Sequence, residues 1–228
     1  MPAGSAGAEA PTAAPFVPDG ADLAALKAAA DGCRGCHLHE NATQTVFGEG
    51  QPSARVVLIG EQPGDQEDRR GRPFVGPAGK LLDRALGDAG IDRDDAYVTN
   101  AVKHFKFTQS APGKRRIHAK PDQLEITACR PWLSAELALL DPEVVVALGA
   151  TAAQALLGSA FRVTRQRGVL MPWPPERGPY AKDEDGSVHA GYILATIHPS
   201  AVLRADDREA AYEGLVADLR VVAEALSG

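Results

Sequence analysis

The chain has 228 residues, and its content of 44% hydrophobic and 24% charged residues is that of an ordinary globular protein. No apolar run approaches the length of about 18 residues that a transmembrane helix needs, and residues 1–18 lack the basic and then apolar pattern of a secretory signal. Three cysteines without such a signal indicate a reducing cytoplasm. We therefore expect a cytoplasmic protein with a disordered tail at residues 1–20, rich in Ala, Pro and Gly, and a single domain over residues 21–228.

The net charge of −6, from 30 acidic and 24 basic residues, on its own disfavours nucleic-acid binding. The charge is unevenly distributed, however, because residues 103–121 contain six basic residues and no Asp or Glu. These residues are Lys103, Lys106, Lys114, Arg115, Arg116 and Lys120. A phosphate meets the local field first, so the segment predicts a positive patch, although many such runs are only solvated surface.

Hydrophobic periodicity predicts an alternation of helices and strands. In chain order we expect a helix at 22–30, a strand at 55–59, a helix at 77–89, a strand at 96–102, a basic loop at 103–120, a helix at 122–140, a strand at 143–148, a helix ending at 157, an irregular strand and surface loop within 162–187, a strand at 192–197 and a helix at 206–226. The strands are apolar throughout, which implies a parallel sheet covered on both faces. The predicted fold class is α/β, a three-layer α/β/α sandwich around a four-stranded, mainly parallel sheet.

Polar residues follow each of the four best predicted strands. These strands lead into residues 60–65 (GEQPGD), Asn100, residues 149–151 (GAT) and residues 198–200 (HPS). The carboxyl ends of parallel strands meet at one edge of a sheet, where such folds bind their ligands. The sequence therefore predicts that an acid, an amide, a hydroxyl and an imidazole meet in one crevice. Taken singly, the glycine-rich turn and the strand-end His198 could equally be an ordinary turn and a packing or capping residue.

Cys33 and Cys36 form a Cys-x-x-Cys pair followed by a histidine. This is also the pattern of haem attachment, which we reject because that reaction takes place outside the cytoplasm. Two thiolates at this spacing can reach one ion or cluster, and Cys129 supplies a third. The candidates for a fourth ligand are His37, His39 and His104. We prefer His104, since it precedes the helix that carries Cys129. A ligand set of three Cys and one His favours structural zinc over an iron–sulfur cluster.

The basic loop ends in the sequence Lys-Arg-Arg-Ile-His at residues 114–118. An unperturbed imidazole is mostly neutral at pH 7, and its neutral form is a nucleophile. Arginines beside His118 would favour that neutral form, whereas bound phosphates would oppose it. The sequence therefore makes His118 a candidate nucleophile.

Taken together, these residues resemble the uracil-DNA glycosylase superfamily and, within it, the iron–sulfur branch, from about residue 23 onward. The resemblance is carried by Cys33 and Cys36, the GE-x-PG turn at 60–64, the RPFVGPAG stretch at 72–79, Asn100, Cys129 and the HPS motif at 198–200. Gln62 within the turn and the loop at 114–118 look like the UdgX type. Members of that type remove uracil from DNA and stay joined to the remaining sugar through the loop histidine.

The resemblance implies a role in uracil recognition for four residues. Phe74 would stack on a flipped uracil, and Asn100 would read its polar edge. His198 would hydrogen-bond the uracil oxygen as the base leaves with negative charge. Gln62 would line the same pocket.

It also implies roles in catalysis and DNA binding. Glu61 would support positive charge on the sugar or orient the attacking group. His118 would attack the anomeric carbon, while Arg116 would hold the loop in place. Lys114, Arg115 and Arg116 would contact DNA.

The resemblance further implies a 4Fe–4S cluster on Cys33, Cys36, His104 and Cys129, although a fourth cysteine is usual where His104 stands. We thus expect a monomer that acts once on uracil-containing DNA, independently of membranes. One alternative is an ordinary turnover glycosylase in which His118 only contacts phosphate. The other is a non-catalytic nucleic-acid-binding module that a metal helps to fold.

Overall fold

The computed structural model describes residues 10–111, 113–175, 180 and 191–227. Its strands are β1 (Val56–Gly60), β2 (Ala96–Asn100), β3 (Phe107–Thr108), β4 (Ile117–His118), β5 (Val144–Leu148), β6 (Leu170–Trp173) and β7 (Gly191–Thr196). Its helices are α1 (Leu23–Ala30), α2 (Asp65–Arg70), α3 (Pro77–Ala89), α4 (Gln123–Leu140), α5 (Ala150–Leu157), α6 (Val163–Gln166), α7 (Pro199–Arg204) and α8 (Arg208–Ser227). Helices and strands alternate along most of the described chain, as the hydrophobic periodicity predicts.

The main sheet has the strand order β2-β1-β5-β7-β6. The first four strands run parallel, and β6 pairs antiparallel with β7. The predicted α/β class with a mainly parallel sheet is confirmed, but the sheet has five strands instead of four. The additional strand β6 lies within the segment where the sequence indicates only an irregular strand. It contains Pro172, which cannot donate to a strand ladder and is tolerated at the edge of a sheet.

Alternating strand residues feed two separate cores, one on each face of the sheet. Val57 and Ile59 of β1 pack in one core with residues of α1, α4 and α5. Val56 and Leu58 of the same strand pack in the other core with residues of α3, α7 and α8. Since successive strand side chains point to opposite faces, a strand covered on both sides must be apolar at every position. This arrangement is the predicted three-layer sandwich.

The basic segment contains a small hairpin where the sequence predicts a loop. Strands β3 and β4 pair antiparallel, with Phe107 opposite His118 and Thr108 opposite Ile117. Two-residue strands are too short to produce a recognisable alternation, which explains why the pattern missed them. The hairpin follows β2 and carries His118 to the same edge of the sheet.

Part of the segment that we expected to be disordered is folded onto the core. Residues Ala14–Phe16 form a 3-10 turn, and the buried Ala13 donates its N–H to the carbonyl of Ala128 at 2.7 Å. The glycine at position 35 permits this contact, because a Cβ there would lie 2.6 Å from the Ala13 backbone. Among the described helices, none combines the length and apolar character needed to cross a membrane.

Candidate active site

A cavity of about 630 Å³ opens at the carboxyl edge of the parallel strands. Its volume is in the range typical of small-molecule sites. The turn after β1, the end of β2, the residues after β5 and β7, and the hairpin all contribute to its walls. The lining includes Glu61, Gln62, Phe74, Asn100, His118 and His198. These are all of the residues predicted to act on the base or the sugar; Arg116, predicted to hold the loop, is not among the lining residues.

Asn100 lies at the floor of the cavity, where a glycine allows close packing. It is the last residue of β2, is 3% exposed and pairs in register with Gly60 of β1. A Cβ at Gly60 would collide with Asn100 Oδ1 and come within 2.9 Å of Phe74 Cζ. Within the described chain, the Asn100 side-chain amide has no hydrogen-bond partner, so it is available to a ligand.

The ring of Phe74 is presented by a constrained turn. Phe74 has a φ of +55°, in the left-handed region that a bulky residue seldom occupies. Gly79 makes room for this turn, because a Cβ at that position would overlap the Phe74 carbonyl. Glu67 closes it from the other side by accepting the N–H of Gly76 at 2.7 Å. The turn therefore fixes the aromatic ring as part of the cavity wall.

His198 is held as a neutral hydrogen-bond donor. Its Nδ1 accepts the backbone N–H of Ser200 at 3.0 Å and caps helix α7, so the ring proton must sit on Nε2. Burial in the cavity wall, followed by the charges of Arg204 and His118, lowers the pKa of His198 to about 4. The imidazole is thus neutral near pH 7 and can donate from Nε2 without a change of protonation state.

His118 faces the acid of the first turn. Its Nε2 lies 3.3 Å from Glu61 Oε1, with the His118 side chain 51% and the Glu61 side chain 20% exposed. The histidine ring rests beside Phe105, with ring centroids 6.1 Å apart. The imidazole of His118 and the carboxylate of Glu61 therefore share the cavity, and His118 is the more exposed of the two.

Gln62 connects the cavity wall to the hairpin. Its side-chain NH₂ donates to the carbonyls of Lys106 and Ala119 at 3.1 and 3.0 Å, and its side-chain oxygen accepts the Lys106 N–H at 2.9 Å. Both flanks of the hairpin are therefore bound to the turn after β1. The residue lines the cavity as expected, but both of its donors hold backbone instead of facing a ligand.

Arg116 is a second attachment point of the hairpin. Its guanidinium forms ion pairs with Asp65 and with the fully buried Asp68 at 2.5 and 2.6 Å. It also covers the rings of Phe105 and Phe107, with its central carbon 5.3 and 4.9 Å from their centroids. The predicted role of holding the loop agrees with these contacts. The DNA contact of Arg116 stays a prediction, and in the structure two carboxylates already pair with its guanidinium.

Comparison with known proteins assigns this geometry to a family. The profile described as the uracil DNA glycosylase superfamily matches residues 47–220 of the chain. The chain belongs to the uracil-DNA glycosylase superfamily. It is 38% identical to a type-4 uracil-DNA glycosylase of Thermotoga maritima over 173 residues, covering 75% of this chain and 78% of that protein.

Two further glycosylases show the range of similarity. A type-4 uracil-DNA glycosylase of Sulfurisphaera tokodaii is 35% identical over 176 residues, which cover 75% of this chain and 71% of that protein. A type-5 uracil-DNA glycosylase of Thermus thermophilus is 39% identical, but only over 127 residues, which cover 49% and 53% of the two chains. The similarity to type-4 glycosylases thus extends over more of the chain.

For this glycosylase-superfamily member, the positive patch predicted from sequence is smaller than the residue count suggests. Lys103 is buried against Glu136, and Lys106 pairs with Asp122 and Glu125. With Arg116 also paired, half of the six basic residues are neutralised internally. The exposed ones are Lys114, Arg115 and Lys120, which form no ion pair with the described residues. Local charge counting could not detect acids supplied by other segments of the chain.

Of the three cysteines, Cys33 and Cys129 are buried and Cys36 is partly buried. All three are free, and burial, followed by neighbouring Cys36 and Cys33, raises the pKa of Cys129 to about 12. Two N–H groups point at the sulfurs, from the Trp132 indole to Cys33 and from the Lys103 backbone to Cys129, each at 3.2 Å. Adjacent buried thiolates are unfavourable unless a cation compensates them, so this donor set fits a metal group.

His104 has the ring state that a metal ligand requires. The Thr45 hydroxyl donates to the Ala30 carbonyl at 2.8 Å, so it must accept from His104 Nε2–H at 3.0 Å. This leaves the Nδ1 lone pair of His104 unused, and burial, followed by the charge of His39, lowers the pKa of His104 to about 4. His37 instead pairs with Glu125 at 3.2 Å. Among the residues described, no group of three or more His, Cys, Asp or Glu is close enough to form a ready-made site for a single ion.

Sequence reasoning missed several residues of the cavity wall. Glu67, Lys120, Ser200 and Arg204 all line it. Glu67 lies on the short charged helix α2, where an acid is ordinarily solvated, so no signal distinguished it. Ser200 belongs to the HPS motif and could have been selected from its position after β7.

Proposed function

We propose that this superfamily member excises uracil from DNA and then joins His118 covalently to the sugar that is left. The observation that carries the proposal is the 3.3 Å approach of His118 Nε2 to Glu61 Oε1 inside the cavity that Asn100, Phe74 and His198 also line. A base within a duplex cannot reach such a cavity. The nucleotide must therefore be flipped out or come from a single strand, at a cost of a few kcal/mol.

Uracil recognition is assigned to the floor of the cavity. The base stacks against Phe74, and the side-chain amide of Asn100 pairs with its polar edge, since an amide offers both a donor and an acceptor. Nothing within the described protein competes for that amide. The fixed Phe74 turn and the Gly60 contact keep the pocket narrow, which favours a small planar base.

Cleavage breaks the bond between the anomeric carbon and the uracil nitrogen. The electron pair leaves with uracil, which becomes an anion, and the sugar becomes electron-poor. His198 donates from Nε2 to the uracil oxygen as this charge develops, and a preorganised donor of this kind is worth about 10²–10³ in rate. The Glu61 carboxylate stabilises the positive charge on the sugar.

Capture follows cleavage. Neutral His118 has one unprotonated ring nitrogen, whose lone pair forms a bond to the anomeric carbon in place of water. The ring then carries the positive charge beside Glu61, and it becomes neutral when its remaining N–H proton passes through this carboxylate to solvent. A neutral alkylated imidazole is a poor leaving group from this carbon, so the protein stops after one turnover. Gln62 and Arg116 support this step by holding the hairpin against the turn after β1.

Cys33, Cys36, His104 and Cys129 are proposed to hold a 4Fe–4S cluster. The neighbouring thiols, two of them buried, the two N–H donors to sulfur and the neutral His104 ring support this assignment. When bound, the cluster supplies a structural link between the residues after α1, the loop after β2 and helix α4. Purified protein should be brown and contain iron and sulfide; colourless protein with stoichiometric zinc would favour the alternative metal.

DNA is first attracted by Lys114, Arg115 and Lys120. These exposed cations flank the hairpin and the cavity wall, and cations of this kind bind phosphates without reading sequence. The encounter should weaken with salt, by about 0.9 log unit of affinity per log unit of salt for each duplex phosphate contacted. An encounter insensitive to salt would contradict this assignment.

The test uses wild-type protein and an oligonucleotide that contains one uracil. We expect at most about one uracil released per protein and a shifted band on a denaturing gel that survives heat and detergent. Many uracils per protein without a stable band would identify an ordinary turnover glycosylase. DNA binding without any released uracil would identify a non-catalytic module, and Glu61→Gln would then leave binding unchanged.

A further inference from the structure

A buried ion pair is hydrogen-bonded to Asn100, a residue of the cavity lining. Lys103 and Glu136 have side chains that are 1% and 0% exposed, and their charged groups are in direct contact. The Lys103 ammonium also donates to the Thr99 hydroxyl at 2.6 Å and to the main-chain carbonyl of Asn100 at 2.8 Å. All three donors of the ammonium are therefore used by β2 and by helix α4.

The carboxylate of Glu136 likewise accepts several hydrogen bonds besides its contact with Lys103. Its carboxylate accepts from the Tyr97 hydroxyl at 2.9 Å, from the Thr99 hydroxyl at 3.0 Å and from the Gly48 N–H at 3.2 Å. Burial and the neighbouring Glu136 raise the pKa of Tyr97 well above its usual value, so the tyrosine remains a donor. The carboxylate thus holds the Lys103 ammonium in one place.

The stability of the fold does not explain why this pair is present. Desolvating two charges is costly, and an apolar pair of similar volume is often as stable as a buried ion pair or more stable. An apolar side chain at position 103 could not bind the carbonyl of Asn100, however. That carbonyl belongs to the last residue of β2, and the next two N–H groups, of Ala101 and Val102, bond to Gly60 and Glu61 at the end of β1.

Holding this carbonyl constrains the ψ angle of Asn100 and therefore the backbone from which its side chain projects. The Lys103 backbone is itself fixed, because its N–H donates to Cys129 Sγ at 3.2 Å and its carbonyl accepts the Val46 N–H at 2.8 Å. Lys103 consequently links Asn100 both to Cys129 and to Glu136 of helix α4.

We infer that Lys103, held in place by Glu136, is a positioning residue for base recognition: it keeps Asn100 in the orientation that reads the polar edge of uracil. The inference rests on the proposed function. It makes the buried pair a determinant of base binding, although neither residue touches the base.

The decisive variant is the double substitution Lys103→Met with Glu136→Gln. Lys103→Met alone leaves an unpaired buried carboxylate and should lower the melting temperature by about 10 °C. The double variant removes both charges, while the amide oxygen introduced by Glu136→Gln still accepts from Tyr97 and Thr99, so it should melt within about 3 °C of wild type. It should nevertheless excise uracil at least about tenfold more slowly in single turnover, because Asn100 loses its anchor.

Inhibition by free uracil separates base recognition from general disruption. We expect the double variant to need about tenfold more free uracil for half-inhibition. Asn100→Ala should have a much smaller effect in the double-variant background than in wild type, since coupled residues are not additive. The matched control removes another partly buried ion pair, Arg167 and Asp218, with Arg167→Met and Asp218→Asn. It should leave inhibition by uracil unchanged.

Several outcomes would overturn the inference. A stable double variant with wild-type excision and uracil inhibition would show that the pair is only structural, as would fully additive effects of Asn100→Ala. If the double variant does not fold, Lys103→Met is measured below its lowered melting temperature; unchanged uracil inhibition in that variant, which lacks the donor to the Asn100 carbonyl, would also reject the inference. A wild-type protein that releases no uracil would overturn the proposed function and the inference with it.

Discussion

At the sheet edge, Asn100, Phe74 and His198 are fixed by backbone: a strand end, a constrained turn and a helix cap hold them in the cavity. In the hairpin, His118 is half exposed, and the two-stranded unit that carries it is attached through the side chains of Gln62 and Arg116. The contrast indicates a division of labour. Under the proposed function, base recognition and bond cleavage belong to the edge of the sheet, whereas capture of the sugar belongs to the hairpin and can be disabled separately.

The largest effect that would separate the two regions is expected from His118→Ser. This variant should lose the detergent-stable adduct completely and still release uracil, with more than one turnover, because the sheet edge is untouched. Gel analysis and counting of released uracil measure both. Ile117→Ala, an exposed neighbour in the same strand, is the matched control and should keep the adduct. A fully retained adduct in His118→Ser would mean that another residue is the nucleophile.

The next largest effect is expected at the sheet edge. His198→Ala removes the Nε2 donor and should slow uracil release by about 10²–10³. Adduct formation should fall by the same factor, since capture requires prior cleavage. Rapid-quench measurements on one sample can follow both products. A variant that loses the adduct but releases uracil at the normal rate would assign His198 to capture, against this account.

Arg116→Lys should have a smaller effect, restricted to the hairpin. Lysine keeps the charge but lacks the planar donors that reach two carboxylates at once, so Asp65 and Asp68 would no longer be bridged. We expect adduct formation to slow about tenfold and uracil release by less than about threefold. The exposed Arg115→Lys serves as the control and should change neither rate. Equal losses of release and adduct in Arg116→Lys would contradict the division.

A weaker and more general effect is expected from Lys114→Ala with Arg115→Ala. These side chains are exposed, so their loss should weaken DNA binding a few-fold at moderate salt and reduce the logarithmic salt slope by about 1.8 for duplex DNA. Titrations at several salt concentrations provide the slope. The first-order rate of uracil release after binding should stay at the wild-type value. An unchanged salt slope would show that Lys114 and Arg115 do not contact DNA.

The smallest effect concerns stability and pH. The pKa of folded His198 is lowered to about 4, whereas an unfolded histidine titrates near 6.5, so between these values the unfolded chain binds more protons. The contribution of His198 to the free energy of unfolding is therefore complete above about pH 6.5. It falls by at most about 3 kcal/mol as the pH is lowered toward 4. Melting curves of wild type and His198→Gln should converge over this window. A constant difference would contradict the lowered pKa.

The sequence predicted the sheet edge better than the hairpin, for a physical reason. Parallel strands buried on both faces are continuous apolar runs, and their ends must meet at one edge, so residues such as Asn100 and His198 could be brought together without coordinates. The hairpin depends on pairings between distant segments. The contacts of Arg116 with Asp65 and Asp68, and of Gln62 with two carbonyls, follow no local pattern.

The buried pair of Lys103 and Glu136 shows the same limit more strongly. Within the basic segment, Lys103 looked like one more contributor to a positive patch, since its acidic partner lies 33 residues away on helix α4. Only the packing of α4 against β2 brings the two charges together. Charge patterns along a chain can therefore suggest a DNA-binding segment without identifying which of its cations face the solvent.

The most direct test of the central claim is to locate the bond. Wild-type protein is reacted with a uracil-containing oligonucleotide, the DNA is digested with nuclease, and the protein is analysed by peptide mass spectrometry. This account predicts a sugar-bearing remnant on His118 and on no other residue. A remnant on a different residue, or unmodified protein after complete release of uracil, would contradict it.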